Sequence, residues 1–162
     1  MRFNEIKPPQ ALSNLTDTIK MFLAGSIEMG VAEDWQTKVS LELEQRIRHV
    51  TITIINPRRE EWDNSWTQSI ESPQFYQQVN WELNGLDKAD YILMYFSPET
   101  KSPISLLELG LYAASGKLIV CCPDGFWRKG NVEIVCTRFN IPLFNSLDDG
   151  MGALESKIRQ SR

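Results

Sequence analysis

Residues 90–122, DYILMYFSPETKSPISLLELGLYAASGKLIVCC, hold a strand, a loop, a helix and a second strand in that order. Residues 90–96 form a continuous apolar run ended by Ser97-Pro98, the pattern of a strand covered on both faces. Ser102-Pro103 supplies an N-cap and a first-turn proline for the helix that follows. Gly116 closes that helix, and residues 117–122 form the next apolar strand. Two strands joined by a crossover helix make a parallel βαβ unit. The same alternation extends outward in both directions. KMFLAG (20–25) reads as the first strand. Residues 33–47 carry Trp35, Val39, Leu43 and Ile47 at four-residue spacing, a helix with one buried stripe. VTITII (50–55) is the second strand, residues 61–72 a loop, and residues 72–89 a helix opened by Ser72-Pro73. Beyond the quoted unit come a short helix (131–139), a brief strand (141–144) and a last helix (146–160). The expected fold class is therefore α/β: a three-layer sandwich with a doubly wound five-stranded parallel sheet in the flavodoxin-like order 2-1-3-4-5. Residues 1–19 are polar, contain Pro8-Pro9, and read as an N-terminal arm or lead-in to a single domain over 20–162.

Bulk properties exclude several function classes. A net charge of −4 argues against a nucleic-acid polymer as partner. No apolar run approaches the length of a membrane span, and MRFNEIKPPQ has no signal-peptide core. Cys121, Cys122 and Cys136 show no metal-ligand spacing and read as reduced thiols of a cytoplasmic protein. The lone His49 precedes a strand, which disfavours a histidine triad or a His-rich metal site.

In sheets of this type ligands bind beyond the carboxyl ends of the strands. The four loops there contain Trp35, Trp62, Trp66 and Trp127, four of the five tryptophans. They also contain Asp34, Asp63, Asp124, Arg58, Arg59 and Arg128. Such an edge suits a flat heteroaromatic ligand with polar groups; the alternative is that the tryptophans cover the sheet end or an oligomer interface. AGSIEMG lacks the spacing of a phosphate loop, although Gly25 would let a ligand approach the backbone. Glu108 lies in the second turn of the helix after the third strand, on a face that is otherwise largely apolar. It sits either at the rim of the core or in a cleft, and the helix N-terminus would favour its charged form.

Four stretches together, MFLAGSIEMGVAEDWQ, NPRREEWD, QVNWELNGLDKADYILMYFSPET and SPISLLELGLYAASGK, resemble the nucleoside 2-deoxyribosyltransferases, in particular their 2-deoxyribosyltransferase-like branch. LELGLYAASGK is similar to the helix that carries the family's nucleophilic glutamate, which implies that role for Glu108. NWELNGL implies that Glu82 takes the place of a substrate-contacting aspartate. The resemblance implies base exchange on 2′-deoxynucleosides through a covalent deoxyribosyl-enzyme ester, with deoxynucleosides and free nucleobases as partners and no metal or organic cofactor. Asp63 is the first candidate to hydrogen-bond the base or sugar. Asp34 and Trp35 are expected to face the base, Arg58 and Trp62 to bind substrate, and Gly25 and Ser26 to supply backbone and hydroxyl contacts. Asn131 falls near a segment that in the family reaches a neighbouring subunit's site, which implies a homo-oligomer, a dimer or higher. Two positions depart from better-known members. Ser102 stands where they carry an aspartate six residues before the nucleophile, and Met21 where they carry a tyrosine. The alternatives are hydrolysis of deoxynucleoside 5′-monophosphates, with Arg58, Arg59 and Arg128 holding a phosphate, or a non-catalytic nucleotide-binding module.

Overall fold

The side chains of the central strands alternate between two cores. Met21 and Leu23 face one side of the sheet while Phe22 and Ala24 face the other, and Leu93 opposes Ile92 and Met94 in the same way. All seven residues are essentially inaccessible to solvent, as a parallel sheet covered on both faces requires. The structure, a computed structural model, describes residues 3–13, 15–27 and 32–161. Its elements are β1 (Phe3–Ile6), β2 (Ile19–Gly25), α1 (Trp35–Arg46), β3 (Ile52–Ile55), α2 (Pro73–Lys88), β4 (Tyr91–Tyr95), α3 (Pro103–Tyr112), β5 (Leu118–Cys121), α4 (Lys129–Arg138), β6 (Leu143–Phe144) and α5 (Leu147–Gln160). Residues 28–31, in the loop after β2, lie outside the described residues. No helix among the described residues is long and apolar enough to cross a membrane.

The strands form one all-parallel sheet in the order β1-β3-β2-β4-β5-β6. Helices α1 and α5 pack on one face and α2, α3 and α4 on the other. The five strands expected from sequence keep their expected mutual order, as β3-β2-β4-β5-β6. The strand count needs correction, because the sheet has six strands and the additional one lies in the segment read as an arm. Phe3–Ile6 pairs with Ile52–Ile55 along its whole length. It escapes a search for apolar runs because FNEI has a half-buried Phe3 and a buried Ile6 separated by two exposed polar residues, the composition of a short edge strand. Its presence makes β3 an interior strand, which explains why ITII is buried at every position.

Two local geometries fix the carboxyl edge. Gly25 ends β2 with φ at 137°, and a Cβ there would lie 2.1 Å from the Tyr95 carbonyl oxygen of β4. Only glycine accepts both the angle and the contact. Ser72 and Ser102 occupy the N-cap positions of α2 and α3 ahead of their prolines, but neither hydroxyl caps the helix. Ser102 instead adopts a left-handed conformation, φ 46° and ψ 51°, and its side chain points elsewhere. Gly25→Ala is expected to lower stability by about 2 kcal/mol or more, since strain and a backbone overlap act together. Urea unfolding would check this, and an unchanged midpoint would contradict the close β2–β4 approach.

Candidate active site at the carboxyl edge of the sheet

Glu108 is buried, with 7% of its surface exposed. On α3 it shares a flank with Ser105 and Tyr112, and the Tyr112 hydroxyl donates to Asp87 of α2 at 2.6 Å. That flank therefore faces α2. Among the described residues no group donates a hydrogen bond to the Glu108 carboxylate. Burial, and secondarily the charge of Glu82 on α2, push its pKa up to about 8. Burial likewise raises Glu82 to about 7, although Gln78 Nε2 donates to its Oε1 at 2.7 Å and works in the opposite direction. The expectation that the helix N-terminus holds Glu108 charged is thus reversed. A helix dipole contributes typically below 1 kcal/mol at a surface, whereas burying an unpaired carboxylate costs several. The two carboxyls lie in one low-dielectric layer, where two like charges oppose each other and a proton on either is favoured.

Beside α3 lies a closed cluster of hydroxyls. Ser26 Oγ is 2.7 Å from Thr100 Oγ1 and 2.6 Å from Ser102 Oγ, and the latter two are 2.7 Å apart. The Ser97 N–H donates to Ser26 Oγ at 3.0 Å, and Thr100 Oγ1 donates to the Ser97 carbonyl at 3.0 Å. All three hydroxyl residues are buried. The position where the resemblance implies an aspartate is therefore filled by a neutral group tied to the ends of β2 and β4. The Ser26 hydroxyl, expected to contact substrate, is committed to this cluster.

The loop from β3 to α2 carries a polar network of its own. Asn56 Nδ2 donates to Glu5 Oε1 and Asn56 Oδ1 accepts from the Arg58 N–H, at 2.9 and 3.0 Å. Arg58 Nη1 reaches Gln36 Oε1 at 3.5 Å and Asp34 Oδ1 at 3.7 Å. Arg59 Nη1 reaches Gln77 and Gln78 at 3.5 Å, and its guanidinium lies 4.8 Å from the Trp66 ring centroid. Trp62 and Trp66 pack at 5.2 Å. Gln78 Nε2 also donates to the Pro57 carbonyl at 3.2 Å, which joins this loop to Glu82.

Other expected residues make contacts of their own. Asp63 is exposed and accepts from the Ser65 N–H at 2.8 Å, which lowers its pKa. Asp34 caps α1 through the Thr37 N–H at 3.2 Å. Trp35 belongs to the core, edge-on to Tyr95 at 5.4 Å, with its Nε1 donating to the Ser26 carbonyl. Asn131 lines an open groove of about 340 Å³ between α4 and the flank of α3 formed by Leu106, Leu109 and Gly110. That flank faces away from Glu82. Gln36, Gln78 and Thr100 were not anticipated. Gln78 alone had a legible signal, since it precedes Glu82 by four residues on one helix face.

Residues 18–126, two thirds of the chain, match the family described as nucleoside 2-deoxyribosyltransferase like. Among solved structures the chain is similar to a conserved protein from Enterococcus faecalis V583, at 13% identity and a TM-score of 0.57. That likeness covers 90% of this chain and 99% of the other and concerns the fold. A comparison with curated proteins finds no match.

The carboxyl pair has a consequence for stability. Glu108 and Glu82 have an ordinary pKa of 4.5 and rise to about 8 and 7 when folded. The native state therefore holds more protons than the unfolded state across that interval. The resulting stabilisation is fully present below about pH 4.5 and is lost as pH rises through 7 and 8. Thermal melts between about pH 5 and pH 9 should show a falling Tm, with Glu108→Gln flattening the slope and exceeding wild type at the alkaline end. A slope identical in wild type and Glu108→Gln would contradict the assignment.

Proposed function

The chain belongs to the nucleoside 2-deoxyribosyltransferase-like family, and from that premise we propose that it exchanges the base of 2′-deoxynucleosides through a deoxyribosyl ester on Glu108. The observation that carries this reading is a buried carboxyl on α3 with no hydrogen-bond donor among the described residues, next to a second carboxyl, Glu82, in a half-buried setting. A largely buried carboxyl that no described protein group holds is available to a substrate at the ligand-binding edge.

In this reading the pair holds one proton near neutral pH. Cleavage of the N-glycosidic bond develops positive charge at C1′, which favours the carboxylate form of Glu108 and leaves the proton on Glu82. The bonding electrons depart with the base nitrogen, which takes that proton, while a Glu108 oxygen bonds to C1′. The missing 2′-hydroxyl helps, because its electron withdrawal would oppose charge at C1′. A second base then attacks C1′, returns its proton to Glu82 and releases Glu108, so two inversions restore the configuration. The neutral cluster at Ser102 adds no third carboxylate, and the leaving base depends on Glu82 for its proton.

A homo-oligomer belongs to the same reading. Every exposed residue of α3 is apolar: Pro103, Ile104, Leu107, Gly110 and Leu111. Ile104, Leu107 and Leu111 expose 59%, 59% and 60% of their surface. A surface helix without a polar face supports a subunit contact there.

With 2′-deoxyuridine and hypoxanthine supplied together, wild type is expected to form deoxyinosine and uracil. Glu108→Ala is expected to lower this rate by at least about a thousandfold with an intact fold. Retained transfer by a well-folded variant removes Glu108 as nucleophile, and uracil release without deoxyinosine converts the reading to hydrolysis. Sedimentation of Leu107→Arg should show a smaller species than wild type; equal sedimentation would place the contact elsewhere or exclude it.

A further inference from the structure

Among the described residues, one side chain donates a hydrogen bond to the Glu82 carboxyl. That side chain is Gln78, buried one turn earlier on α2. Its Nε2 donates to Glu82 Oε1 at 2.7 Å and to the Pro57 carbonyl at 3.2 Å. An amide nitrogen carries two hydrogens, so both are spent. Gln78 Oε1 accepts from Arg59 Nη1 at 3.5 Å. Turning the amide over would set its oxygen against the Pro57 carbonyl and Glu82 Oε1, and its N–H groups against the guanidinium. The three partners therefore hold the amide with its donor toward Glu82. In a protonated carboxyl the carbonyl oxygen is the better acceptor, so the oxygen that receives this N–H is the one without the proton. When Glu82 is protonated, its proton accordingly sits on Oε2.

We propose that Gln78 is a positioning residue for the acid: it grips Glu82 through Oε1 and so makes Oε2 the oxygen that hands the proton to the departing base. This rests on the deoxyribosyl reading. The Oε2–H bond breaks as an N–H bond forms on the base nitrogen, which has taken the electrons of the C1′–N bond. The negative charge left on Glu82 is met by the Gln78 N–H, a bond that strengthens when its acceptor is charged. Gln78 thus stabilises the group that the proton leaves. The same contact opposes burial in setting the acidity of Glu82. Three other charged or titratable groups surround the pair. Glu108 faces Glu82 from α3, Arg59 of the β3–α2 loop reaches it through Gln78, and Asp87, farther along α2, is bound by Tyr112. Under α2 the sheet is apolar, with Phe22 and Ile55 against Gly85.

The pH profile of kcat/KM for exchange between 2′-deoxyuridine and hypoxanthine tests this role. Activity falls on the alkaline side as the pair loses its shared proton. Gln78→Met keeps the length of the side chain and removes the amide. Gln78→Asn keeps an amide but is one methylene too short to reach Oε1. Without the N–H, nothing offsets burial, so Glu82 holds its proton to higher pH. In both variants the alkaline limb is expected to move up by about one pH unit, with the rate at the optimum lowered about tenfold or more by the loosened acid. The fall of Tm with pH, which needs no turnover, should extend upward by a similar interval, and Glu82→Gln should abolish that extension in the double variant. Cooperative melts with the limb and the Tm profile unmoved in both variants would overturn the proposal, since a merely structural amide lowers the rate without moving either. A limb displaced to lower pH would overturn it as well. Wild type that performs no exchange sinks the deoxyribosyl reading, whereas active wild type with unmoved profiles in the variants sinks the role of Gln78 alone.

Discussion

Two carboxyl groups pressed into one poorly solvated layer are the constraint around which this protein is built. Glu108 on α3 and Glu82 on α2 cannot both ionise cheaply between helices packed on a parallel sheet. Several other features follow from holding them there. Helices α2 and α3 must lie side by side on one face, which right-handed crossovers from β3 to β4 and from β4 to β5 bring about. The Tyr112–Asp87 hydrogen bond clamps the two helices one turn beyond Glu108. Gly25 lets β2 close onto β4 at the point where the α3 loop departs. The Ser26–Thr100–Ser102 cluster then fixes the start of α3 without adding another charge.

The opposition between burial and helix dipole shows why magnitudes decide such sites. The early turns of α3 favour a negative charge, and sequence position alone points to an ionised Glu108. Its 7% exposure reverses that expectation, because desolvation outweighs the partial charge of a helix end. A carboxyl that is neutral at rest and ionises when positive charge develops beside it suits a nucleophile toward C1′ better than a permanently solvated one. In the proposed reaction the pair separates two tasks, attack and protonation, between chemically identical groups held on adjacent helices.

Much of this arrangement was legible in the sequence for identifiable reasons. The βαβ alternation, the apolar strands and the Ser-Pro helix starts are local signals, and they placed Glu108 at the carboxyl edge. Strand β1 was not legible, because FNEI alternates too briefly and too polarly to register as an apolar run. Asp34 and Trp35 read as candidates for a ligand, yet the first caps α1 and the second packs on Tyr95. Residue type alone does not separate those uses. The hydroxyl cluster joins residues 74 and 76 positions apart, a distance over which no single-sequence pattern carries information. The unpaired amide of Gln36 is likewise visible only once its neighbours are in place.

The central claim is that Glu108 carries the sugar between two bases. Its most direct measurement is mass spectrometry after incubation with a 2′-deoxy-2′-fluoro nucleoside, whose electron-withdrawing fluorine slows hydrolysis of the ester. The account predicts a fluorodeoxyribosyl adduct that maps, after digestion, to the peptide containing Glu108 and is absent from Glu108→Gln. An adduct on another residue, or efficient turnover of the natural deoxynucleoside by Glu108→Gln, would contradict it.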